Sequence, residues 1–428
     1  MFDNENPGPG NLYHATRPST SYAPLRNHTE TEVVIVGGGL TGLSTALHLA
    51  ENGVDCTLLE ARQPGGGASG RNGGQLNPGL KYDPDVIMQK FGHARGARLV
   101  DMAWGSSEFT LSLIRRLGFD CDARQNGTLR AVSQQNMVEG LKHTVETWQR
   151  SGMEVQFLDE QAVAQRTGTS RYRAALLDPR GGDVNPLKLS QGLAAAAAAA
   201  GSTIHGDSKV LSMTRKSGHW HVATAQGSVT ARRVLLATNG YTDKLCRGLA
   251  RTVFPVFSAI AATAPLPAEI ATRIMPTRSV LYEAGAITVY YRVDAQNRLL
   301  IGGRGPMTAI DRASRVPNLT DYAAGLWPTL KGMAWEYAWN GRIAMTRDHL
   351  PHFHNPQEGL FACLGYNGRG VALSTALGPH LADVLQGGRV ENFPLPVTDI
   401  SPVALHAFWP LGAKAAIWHH RIRQRLGW

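Results

Sequence analysis

A G-x-G-x-x-G motif, Gly37-Gly38-Gly39-Leu40-Thr41-Gly42, sets the strongest constraint on the fold of this chain. It follows an apolar segment, Thr31–Val36, that predicts a strand, and it opens Leu40–Asn52, which predicts a helix. A second predicted strand, Cys56–Glu60, ends on a carboxylate. Strand, glycine turn, helix and strand in this order predict a βαβ unit in a parallel sheet.

Each residue type in the motif has a physical role in binding a dinucleotide. Gly37 permits the tight turn, Gly39 lets the backbone approach a pyrophosphate, and Gly42 lets the helix pack closely on the sheet. The first N–H groups of the helix favour phosphate. Glu60 can accept hydrogen bonds from ribose hydroxyls, and its charge opposes a 2′-phosphate. The motif alone does not separate NAD from FAD.

A glycine-rich polar loop, residues 63–75, directly follows the second strand. A nicotinamide enzyme would normally continue promptly into its next helix, whereas this loop suits an extended cofactor. A flexible surface loop is the alternative that its composition leaves open. The glycine motif together with Ala68-Ser69-Gly70-Arg71-Asn72-Gly73-Gly74-Gln75 resembles the D-amino-acid-oxidase-type flavoproteins.

Within these flavoproteins the chain is most similar to bacterial gamma-glutamylputrescine oxidoreductases and related amine oxidases. Tyr13-His14-Ala15-Thr16 resembles a tyrosine-bearing arm that precedes the first strand there. The resemblance covers most of the chain. It implies an α/β fold in which a Rossmann-like FAD-binding domain of the glutathione-reductase type is interleaved with an α+β substrate domain that contains an antiparallel sheet.

The resemblance also extends the set of expected cofactor contacts. It adds the strand residue Val210, a second strand-turn at 236–240, and a turn at 365–371 whose following helix would point its N-terminus at the flavin pyrimidine. A plain strand–helix turn is the alternative for each. The complete expected set is Gly37, Gly39, Leu40, Thr41, Gly42, Glu60, Ala61, Arg62, Ala68, Ser69, Arg71, Asn72, Gly73, Gly74, Gln75, Val210, Ala237, Thr238, Gly240, Gly365, Asn367, Gly368, Arg369, Gly370 and Val371.

The chain departs from the sarcosine oxidases, which tether their flavin through a cysteine before the C-terminal turn. The matching segment, residues 339–346, holds no cysteine, and Cys363 falls in a predicted buried strand. We therefore expect non-covalent FAD. The resemblance implies hydride transfer from an amine carbon to flavin N5, and then hydrolysis of the imine to an aldehyde or keto product and ammonia or an amine.

O₂ is the expected acceptor, giving H₂O₂, and a gamma-glutamylated polyamine is the substrate that the resemblance implies. Three alternatives stay open: a dehydrogenase that passes electrons to a quinone or protein, a flavin-binding scaffold without turnover, and, more remotely, a nicotinamide dehydrogenase. Such amine oxidation needs little acid–base machinery, so no catalytic base is assigned. The stereochemistry and the oligomeric state stay open.

The substrate wall is expected on strands that carry Tyr282, Tyr290 and Arg292. Strand alternation places Tyr290 and Arg292 on one side and Tyr291 on the other. Arg292 could pair with a substrate carboxylate, and a surface arginine beside a packed tyrosine is the alternative. Further wall candidates are Gln75 and His14, while Trp335 and Trp339 could line a pocket but are more typical of a core.

His349, His352 and His354 have an H-x-x-H-x-H spacing that could suit a metal. Pro351 interrupts any helix there, and no cysteine or acidic cluster beyond Asp348 supports a metal, so no metal site is assigned. A loop near the flavin is the favoured interpretation.

Composition narrows the class of protein further. At 428 residues, 43% hydrophobic and 18% charged, the chain is typical of a globular protein of more than one domain. The net charge of +10 is spread along the chain without a recognition motif, so we expect acidic small ligands rather than nucleic acid. The basic run at 419–425 fits a solvated last helical turn better than a membrane-surface role.

The predicted location is cytoplasmic. Cysteines 56, 121, 246 and 363 stand alone, which fits a reducing compartment. The polar N-terminus is unlike a signal peptide, and no stretch of apolar residues is long enough to span a membrane.

The expected organisation begins with an extended arm without a core of its own, residues 1–30. The FAD-binding domain comprises 31–84, 166–250 and 340–395, the substrate domain comprises 85–165 and 251–339, and 396–428 form a tail. Residues 85–165 are predicted to be mostly helical, 184–201 to be a helix, and 250–310 to be antiparallel strands. A strand at Leu360–Leu364 and a helix at Val371–Leu385 are expected near the end.

Overall fold

The structure is a computed structural model that describes residues 10–16, 21–285 and 288–409. The strands are β1 His28–Val36, β2 Cys56–Leu59, β3 Gln75–Leu76, β4 Thr128–Val132, β5 Gln156–Asp159, β6 Ala174–Asp178, β7 Gly182–Asp183, β8 Thr203–His205, β9 Ser212–Lys216, β10 His219–Ala223, β11 Ser228–Leu236, β12 Val253–Thr263, β13 Val280–Glu283, β14 Tyr290–Val293, β15 Leu299–Arg304, β16 Trp335–Thr346, β17 His352–Gln357 and β18 Leu360–Leu364.

The helices are α1 Leu12–Ala15, α2 Leu40–Glu51, α3 Pro84–Phe91, α4 His93–Leu117, α5 Val138–Arg150, α6 Glu160–Thr167, α7 Pro186–Ala199, α8 Ala268–Ala271, α9 Pro317–Leu326 and α10 Gly370–Leu385. None of the helices in the described part of the chain is long and apolar enough to cross a membrane.

The first sheet has the strand order β17-β18-β11-β1-β2-β8, and the β9–β10 hairpin extends it from β11. The strands from β18 to β8 pair in parallel, which confirms the predicted βαβ unit. Val33 and Ile35 of β1 enter one core cluster, and Val34 and Val36 enter another on the opposite face. Such burial on both faces is typical of a parallel strand in an α/β protein.

Helices α2, α7 and α10 cover one face of this sheet, and α4 packs against α10. Leu43 of α2, Leu377 of α10 and Ala103 of α4 lie in one core cluster and are fully buried. Asn185 caps α7 because its side chain accepts hydrogen bonds from the N–H groups of Leu187 and Lys188. The helices thereby place the first turns of α2 and α10 side by side.

The second sheet has the order β16-β12-β15-β14-β13-β4-β6-β5 and is antiparallel except for the pair β13–β4. Its core cluster includes Leu281, Tyr291, Ile301 and Trp327. The mixture of one parallel and one largely antiparallel sheet confirms the predicted fold class.

Several elements differ from the sequence prediction. Residues 85–165 contain β4 and β5 as well as helices, and β6 joins the second sheet although it lies in the predicted FAD-binding segment. The long strands β12 and β16 pair along most of their length, so β16 carries residues 340–346 to the second sheet. The domain boundaries remain a proposal, and the strand partners favour moving residues 174–178 and 340–346 from the FAD-binding domain to the substrate domain.

The N-terminal arm, which was predicted to be extended and without a core of its own, contains the short helix α1 and packs against the rest of the fold. Leu12 and Tyr13 of α1 are 4% and 3% exposed, in a cluster with Trp339. Their burial gives the short helix α1 a fixed place against the second sheet. The predicted basic run at 419–425 lies outside the described residues.

Candidate active site

A cavity of about 1160 Å³ lies between the two sheets. Its walls come from the first turns of α2 and α10, from the loop at 68–73, and from strands β13, β14 and β16. Of the residues expected to bind the cofactor, those that line it are Gly39, Leu40, Thr41, Ala68, Ser69, Arg71, Asn72, Gly73, Gln75, Ala237, Asn367, Gly368, Arg369, Gly370 and Val371.

The remaining expected cofactor residues lie outside this lining: Gly37, Gly42, Glu60, Ala61, Arg62, Gly74, Val210, Thr238, Gly240 and Gly365. Val210 is 4% exposed and packs in the core behind the first sheet. Gly240 lies against Arg342, to whose Cβ an added Cβ would come within 3.3 Å. A contact between these residues and the cofactor remains a prediction.

The glycine motif is packed so closely against neighbouring protein atoms that it has no space for side chains. Gly37 has φ +113°, and a Cβ there would lie 2.8 Å from the Ala237 oxygen. A Cβ on Gly42 would lie 2.1 Å from the Gly37 oxygen, and one on Gly39 would lie 2.8 Å from Ser69 Oγ. Gly39, Leu40 and Thr41 line the cavity at the start of α2, where the N-terminus of a helix favours a pyrophosphate.

Glu60 closes the turn from the other side. Its Oε2 accepts a hydrogen bond of 2.6 Å from Gly38 N, and its Oε1 accepts one of 2.9 Å from Arg62 N. Burial raises the pKa of this carboxyl, while the backbone donors at Arg62 and Gly38 lower it. Glu60 thus braces the turn at the place where ribose hydroxyls are expected.

The loop after β2 is braced by its own side chains. Asn72 Nδ2 donates to the carbonyl oxygens of Ala68 and Ser69, and its Oδ1 accepts from Gly74 N at 2.8 Å. Arg71 is 2% exposed, and its carbonyl accepts a 2.8 Å hydrogen bond from Trp339 Nε1. The loop is therefore packed structure along the cavity, and the alternative of a flexible surface loop is wrong.

The turn before α10 is held in a conformation that needs a left-handed backbone. Gly365 and Gly368 have φ of +85° and +83°, and Asn367 has φ +54°. Asn367 Oδ1 accepts a 2.9 Å hydrogen bond from Thr346 N, which ties the turn to β16. Tyr366 Oη and Thr41 Oγ1, 2.7 Å apart, link the turn before α10 to the first turn of α2.

The wall contributed by the second sheet includes two of the residues predicted for the substrate side, whose contact with a substrate remains a prediction. Tyr290 and Tyr282 line the cavity, and Tyr290 Oη lies 2.9 Å from Ser258 Oγ. Tyr290 is packed closely, since a Cβ on Gly73 would come within 2.6 Å of its ring. Burial raises the pKa of Tyr290, so its phenol stays neutral.

Gln75 also lines the cavity, but its amide is committed to the fold. Its Nε2 donates to the carbonyl oxygens of Leu281 and Tyr291, and its Oε1 accepts from Asn77 Nδ2 at 3.2 Å. Gln75 therefore joins the loop to the second sheet. A direct contact between Gln75 and a substrate remains a prediction.

Arg292 does not occupy the role predicted for it. Its side chain is 3% exposed, and its Nη1 forms a 2.5 Å ion pair with Asp183. Its Nε donates to the Gly73 oxygen at 2.7 Å, and its Nη2 donates to the Val184 oxygen at 3.1 Å. The prediction that Arg292 pairs with a substrate carboxylate is wrong, because Asp183 and the backbone already use its donors.

The predicted alternation along β14 is confirmed. Tyr290 faces the cavity, while the hydroxyl of the fully buried Tyr291 donates to Tyr172 Oη at 2.9 Å on the other side of the sheet. His14 is half-buried and does not line the cavity. Its neighbour Tyr13 packs edge-on against Trp339, with ring centroids 5.2 Å apart. Trp339 is thereby confirmed as a core residue.

Arg342 is a cavity residue that the sequence analysis missed. Its guanidinium lies 4.8 Å from the ring centroid of Tyr241 and 5.7 Å from that of Phe257. Phe257 pairs with Arg342 across β12 and β16. The alternating polar and apolar pattern of Trp335–Thr346 could have indicated a strand with Arg342 on one face.

The three histidines of the H-x-x-H-x-H segment point to different partners. His352 Nε2 lies 3.0 Å from Asp348 Oδ1, and His354 Nδ1 donates to the Thr398 oxygen at 2.5 Å. His349 lines the cavity. Within the described ranges, no group of three histidine, cysteine or acidic side chains could hold a metal.

The four cysteines are all free and buried. Cys363 lies in β18, where burial raises the pKa of its thiol to about 12. No cysteine is found among the described residues that line the cavity. Attachment of the cofactor without a covalent bond remains a prediction.

Comparisons with known proteins agree with this geometry. The family model described as "DAO: FAD dependent oxidoreductase" matches residues 32–384. The chain is 34% identical over 374 residues to the gamma-glutamylputrescine oxidoreductase of Escherichia coli strain K12, which covers 86% of this chain and 87% of that protein.

Two solved structures share the fold. The glycine oxidase of Geobacillus kaustophilus has a TM-score of 0.71 at 24% identity, covering 88% of this chain and 98% of that one. The L-amino acid deaminase of Proteus myxofaciens, in complex with anthranilate, has a TM-score of 0.72 at 17% identity, covering 91% of this chain and 96% of that one.

Proposed function

This chain belongs to the DAO family of FAD-dependent oxidoreductases, and we propose that it oxidises a gamma-glutamylated amine and passes the electrons to O₂. It is an FAD-dependent enzyme whose homologues include amine and amino-acid oxidases. Its substrate and its electron acceptor belong to the proposal. A cytoplasmic location likewise remains a prediction.

The observation that carries the proposal is the continuity of the cavity. It runs from the start of α2, where Gly39 and Leu40 line it, to Tyr290 and Tyr282 on the second sheet. A dinucleotide held at α2 therefore shares one space with a small molecule held against the sheet. The 34% identity to a gamma-glutamylputrescine oxidoreductase supports the choice of substrate.

The chain's residues can be assigned to the two ends of FAD. Gly39, Leu40 and Thr41 would hold the pyrophosphate at the first turn of α2. Glu60 would lie near the ribose, and the loop at 68–73 would run along the cofactor. The first turn of α10, from Gly370, would face the flavin pyrimidine, where N–H groups favour negative charge.

When bound, FAD supplies the acceptor for the hydride of the substrate's α-carbon. The protein's part is to hold that carbon in place and to exclude water. Tyr290, fixed by Ser258 and by its packing on Gly73, provides a rigid apolar surface with one hydroxyl at its edge. No side chain is assigned as a catalytic base.

The charge of the cavity favours the form of the substrate that reacts. Arg304 lines the cavity and lies opposite Ser258, the hydrogen-bond partner of Tyr290, across β15 and β12. Positive charge disfavours an ammonium group beside it, so a bound amine gives up its proton more readily. A neutral amine is the form from which hydride can leave.

The overall reaction balances with the amine, water and O₂ as its three reactants. The amine loses a hydride and a proton to become an imine, and water hydrolyses the imine to an aldehyde and ammonia. The two electrons and two protons reduce O₂ to H₂O₂.

The test is an absorbance titration of the purified protein under anaerobic conditions. Flavin bands that bleach with gamma-glutamylputrescine and recover in air are expected. A panel with putrescine, glycine and sarcosine measures selectivity, and peroxide is quantified against substrate consumed. Bleaching without recovery in air, reversed by a quinone, would replace the oxidase by a dehydrogenase. Flavin bands that no compound bleaches would contradict catalysis of amine oxidation.

A further inference from the structure

One end of the cavity carries two positive charges, those of Lys81 and Arg130, that the expected cofactor contacts do not use. This end is formed by Lys81, Arg130, Tyr282 and Arg369, which come from four different parts of the fold. Lys81 precedes α3, Arg130 lies on β4, Tyr282 on β13, and Arg369 immediately before α10. We call these four residues the basic end of the cavity.

Tyr282 and Arg369 form the fixed part of the basic end. Arg369 Nη2 donates to Tyr282 Oη at 3.0 Å, and its Nη1 donates to the Pro78 oxygen at 3.0 Å. The guanidinium also lies 5.1 Å from the centroid of the Tyr282 ring. Because Tyr282 Oη accepts from Arg369, its own proton is available to a ligand.

Arg130 lies next to Tyr282 on the same face of the sheet. The parallel pairing of β13 and β4 sets Tyr282 opposite Arg130, and both residues line the cavity. Arg130 Nη1 is 3.9 Å from Asp83 Oδ1, which is too long for a hydrogen bond. That same oxygen already accepts a 2.9 Å hydrogen bond from Trp148 Nε1.

Lys81 brings a second cation to this end. The pKa of His349, another lining residue, is lowered mainly by burial and also by the positive charge of Lys81. Across the described ranges, neither the Lys81 ammonium nor the Arg130 guanidinium donates a hydrogen bond, and Lys81 has no ion pair. Two cations in one cavity wall whose N–H groups donate no hydrogen bond within the described residues are suited to binding a carboxylate.

Arg292 cannot supply this recognition, because Asp183 and backbone oxygens already occupy it. We propose that Lys81 and Arg130 bind the carboxylate of the gamma-glutamyl group, with the Tyr282 hydroxyl donating beside them. The inference rests on the proposed function, and it assigns the selectivity for an acidic acyl group to residues of this chain. The amine to be oxidised then lies at the other end of the substrate, towards Tyr290.

The test compares ligands that differ in the carboxylate, using holoenzyme and the variants Lys81→Gln, Arg130→Gln and the double variant. Gamma-glutamylputrescine is compared with N-acetylputrescine, which has the same amide and amine without the carboxylate. For the double variant, kcat/KM for gamma-glutamylputrescine should fall about 100-fold, about 10-fold for each charged hydrogen bond. The value for N-acetylputrescine should change less than about 3-fold.

Binding is measured separately from turnover by calorimetry with gamma-glutamylbutylamide, which lacks the reacting amine. Its Kd should rise about 100-fold in the double variant, in line with two lost charged contacts. Lys331→Gln removes an exposed charge outside the cavity and serves as the control. FAD content and the melting temperature are recorded for every variant.

The outcomes separate this inference from the proposed function. Wild-type protein that oxidises neither putrescine derivative contradicts the proposed function. Wild-type protein that oxidises gamma-glutamylputrescine, with a double variant that binds and oxidises it equally well, overturns the inference alone. A double variant that loses FAD, or that loses both substrates equally, also overturns it, because the two cations would then serve the cofactor or the reacting amine.

Discussion

Arg292 is the residue whose role changes most between the sequence and the structure. Its ion pair with Asp183 is buried, and Arg124 also pairs with that carboxylate at 2.6 Å. Removing one partner of a buried ion pair leaves the charge of the other partner buried without compensation. Arg292 also holds the Gly73 oxygen of the loop along the cavity, so its function is to fix the loop to β14.

Replacement of Arg292 by Met should therefore destabilise the protein and leave the chemistry largely intact. We expect a loss of about 3 kcal/mol in the free energy of unfolding, measured with urea on the holoenzyme. KM for an acidic substrate, measured on FAD-loaded protein, should change little. Arg173→Met breaks the exposed pair with Glu160 and should cost less than about 1 kcal/mol. A stable Arg292→Met protein with a raised KM would restore the substrate-binding role.

The sequence could place Arg292 on a face but could not identify its partner. Alternation along β14 predicts that Tyr290 and Arg292 share a side, and they do. Asp183 comes from a short strand far away in the chain, and nothing local to Arg292 indicates that contact. Whether a charged side chain serves a ligand or the fold is decided by such long-range pairing.

His354 is a buried histidine that should make stability depend on pH. Burial lowers its pKa, although the hydrogen bond to the Thr398 oxygen raises it. Because the folded pKa lies below the unfolded value of about 6.5, its contribution is fully present above that pH and is lost as pH falls through the folded pKa.

A His354→Gln variant tests this titration. The difference in free energy of unfolding between wild type and variant should shrink as pH is lowered from about 7 to 5, since only the wild type must keep an imidazole neutral. Urea unfolding at several pH values measures it. A difference that stays constant over this range would show that His354 does not titrate differently on folding.

At the scale of elements, the first turn of α2 depends on a glycine that packs against its own loop. A Cβ on Gly42 would lie 2.1 Å from the Gly37 oxygen, whereas one on Gly140, which is exposed in α5, meets nothing within 4 Å. The two helical glycines therefore differ in purpose. The first permits close approach, and the second only lowers helix propensity.

The matched pair Gly42→Ala and Gly140→Ala should have opposite effects. Gly42→Ala should lower the free energy of unfolding by about 1–3 kcal/mol and weaken FAD binding, because the turn must move. Gly140→Ala should raise it by about 0.5–1 kcal/mol with FAD binding unchanged. Thermal melting measures the stability of each variant, and the fluorescence of released FAD measures its cofactor binding. Equal effects of the two substitutions would contradict the tight packing at Gly42.

Elements with strong local signals were predicted closely, and those defined by distant pairing were not. The strand Leu360–Leu364 and the helix at α10 agree with the prediction to within one residue. β4 and β5 are short and lie between helices, in a segment whose periodicity predicts mostly helix. β12 and β16 owe their length to pairing with each other, which the sequence of either strand does not show.

At the scale of the whole molecule, the cavity is built from both sheets. The first turn of α2 contributes Gly39, while β14 contributes Tyr290 and β16 contributes Arg342. The N-terminal FAD motif was visible because its spacing is local. The opposite wall was predicted only in part. Lys81 and Arg130 line it although they lie far apart in the sequence, and only the folded chain brings them together.

A ligand that fills a cavity between two sheets should stabilise the whole molecule. Ligand bound to the folded state alone adds RT ln(1 + [L]/Kd), which is about 2.7 kcal/mol at a free concentration of 100 times Kd. FAD added to the apoprotein should therefore raise the melting temperature by several degrees. The melting temperature should continue to rise as the FAD concentration is increased. FMN lacks the adenosine expected near Glu60, and NAD lacks the flavin expected near α10, so each should give a smaller shift at equal concentration. A shift with NAD as large as that with FAD would contradict the assignment of the cavity to a flavin, and equal shifts with FAD and FMN would contradict a role for the βαβ turn in binding the adenosine end.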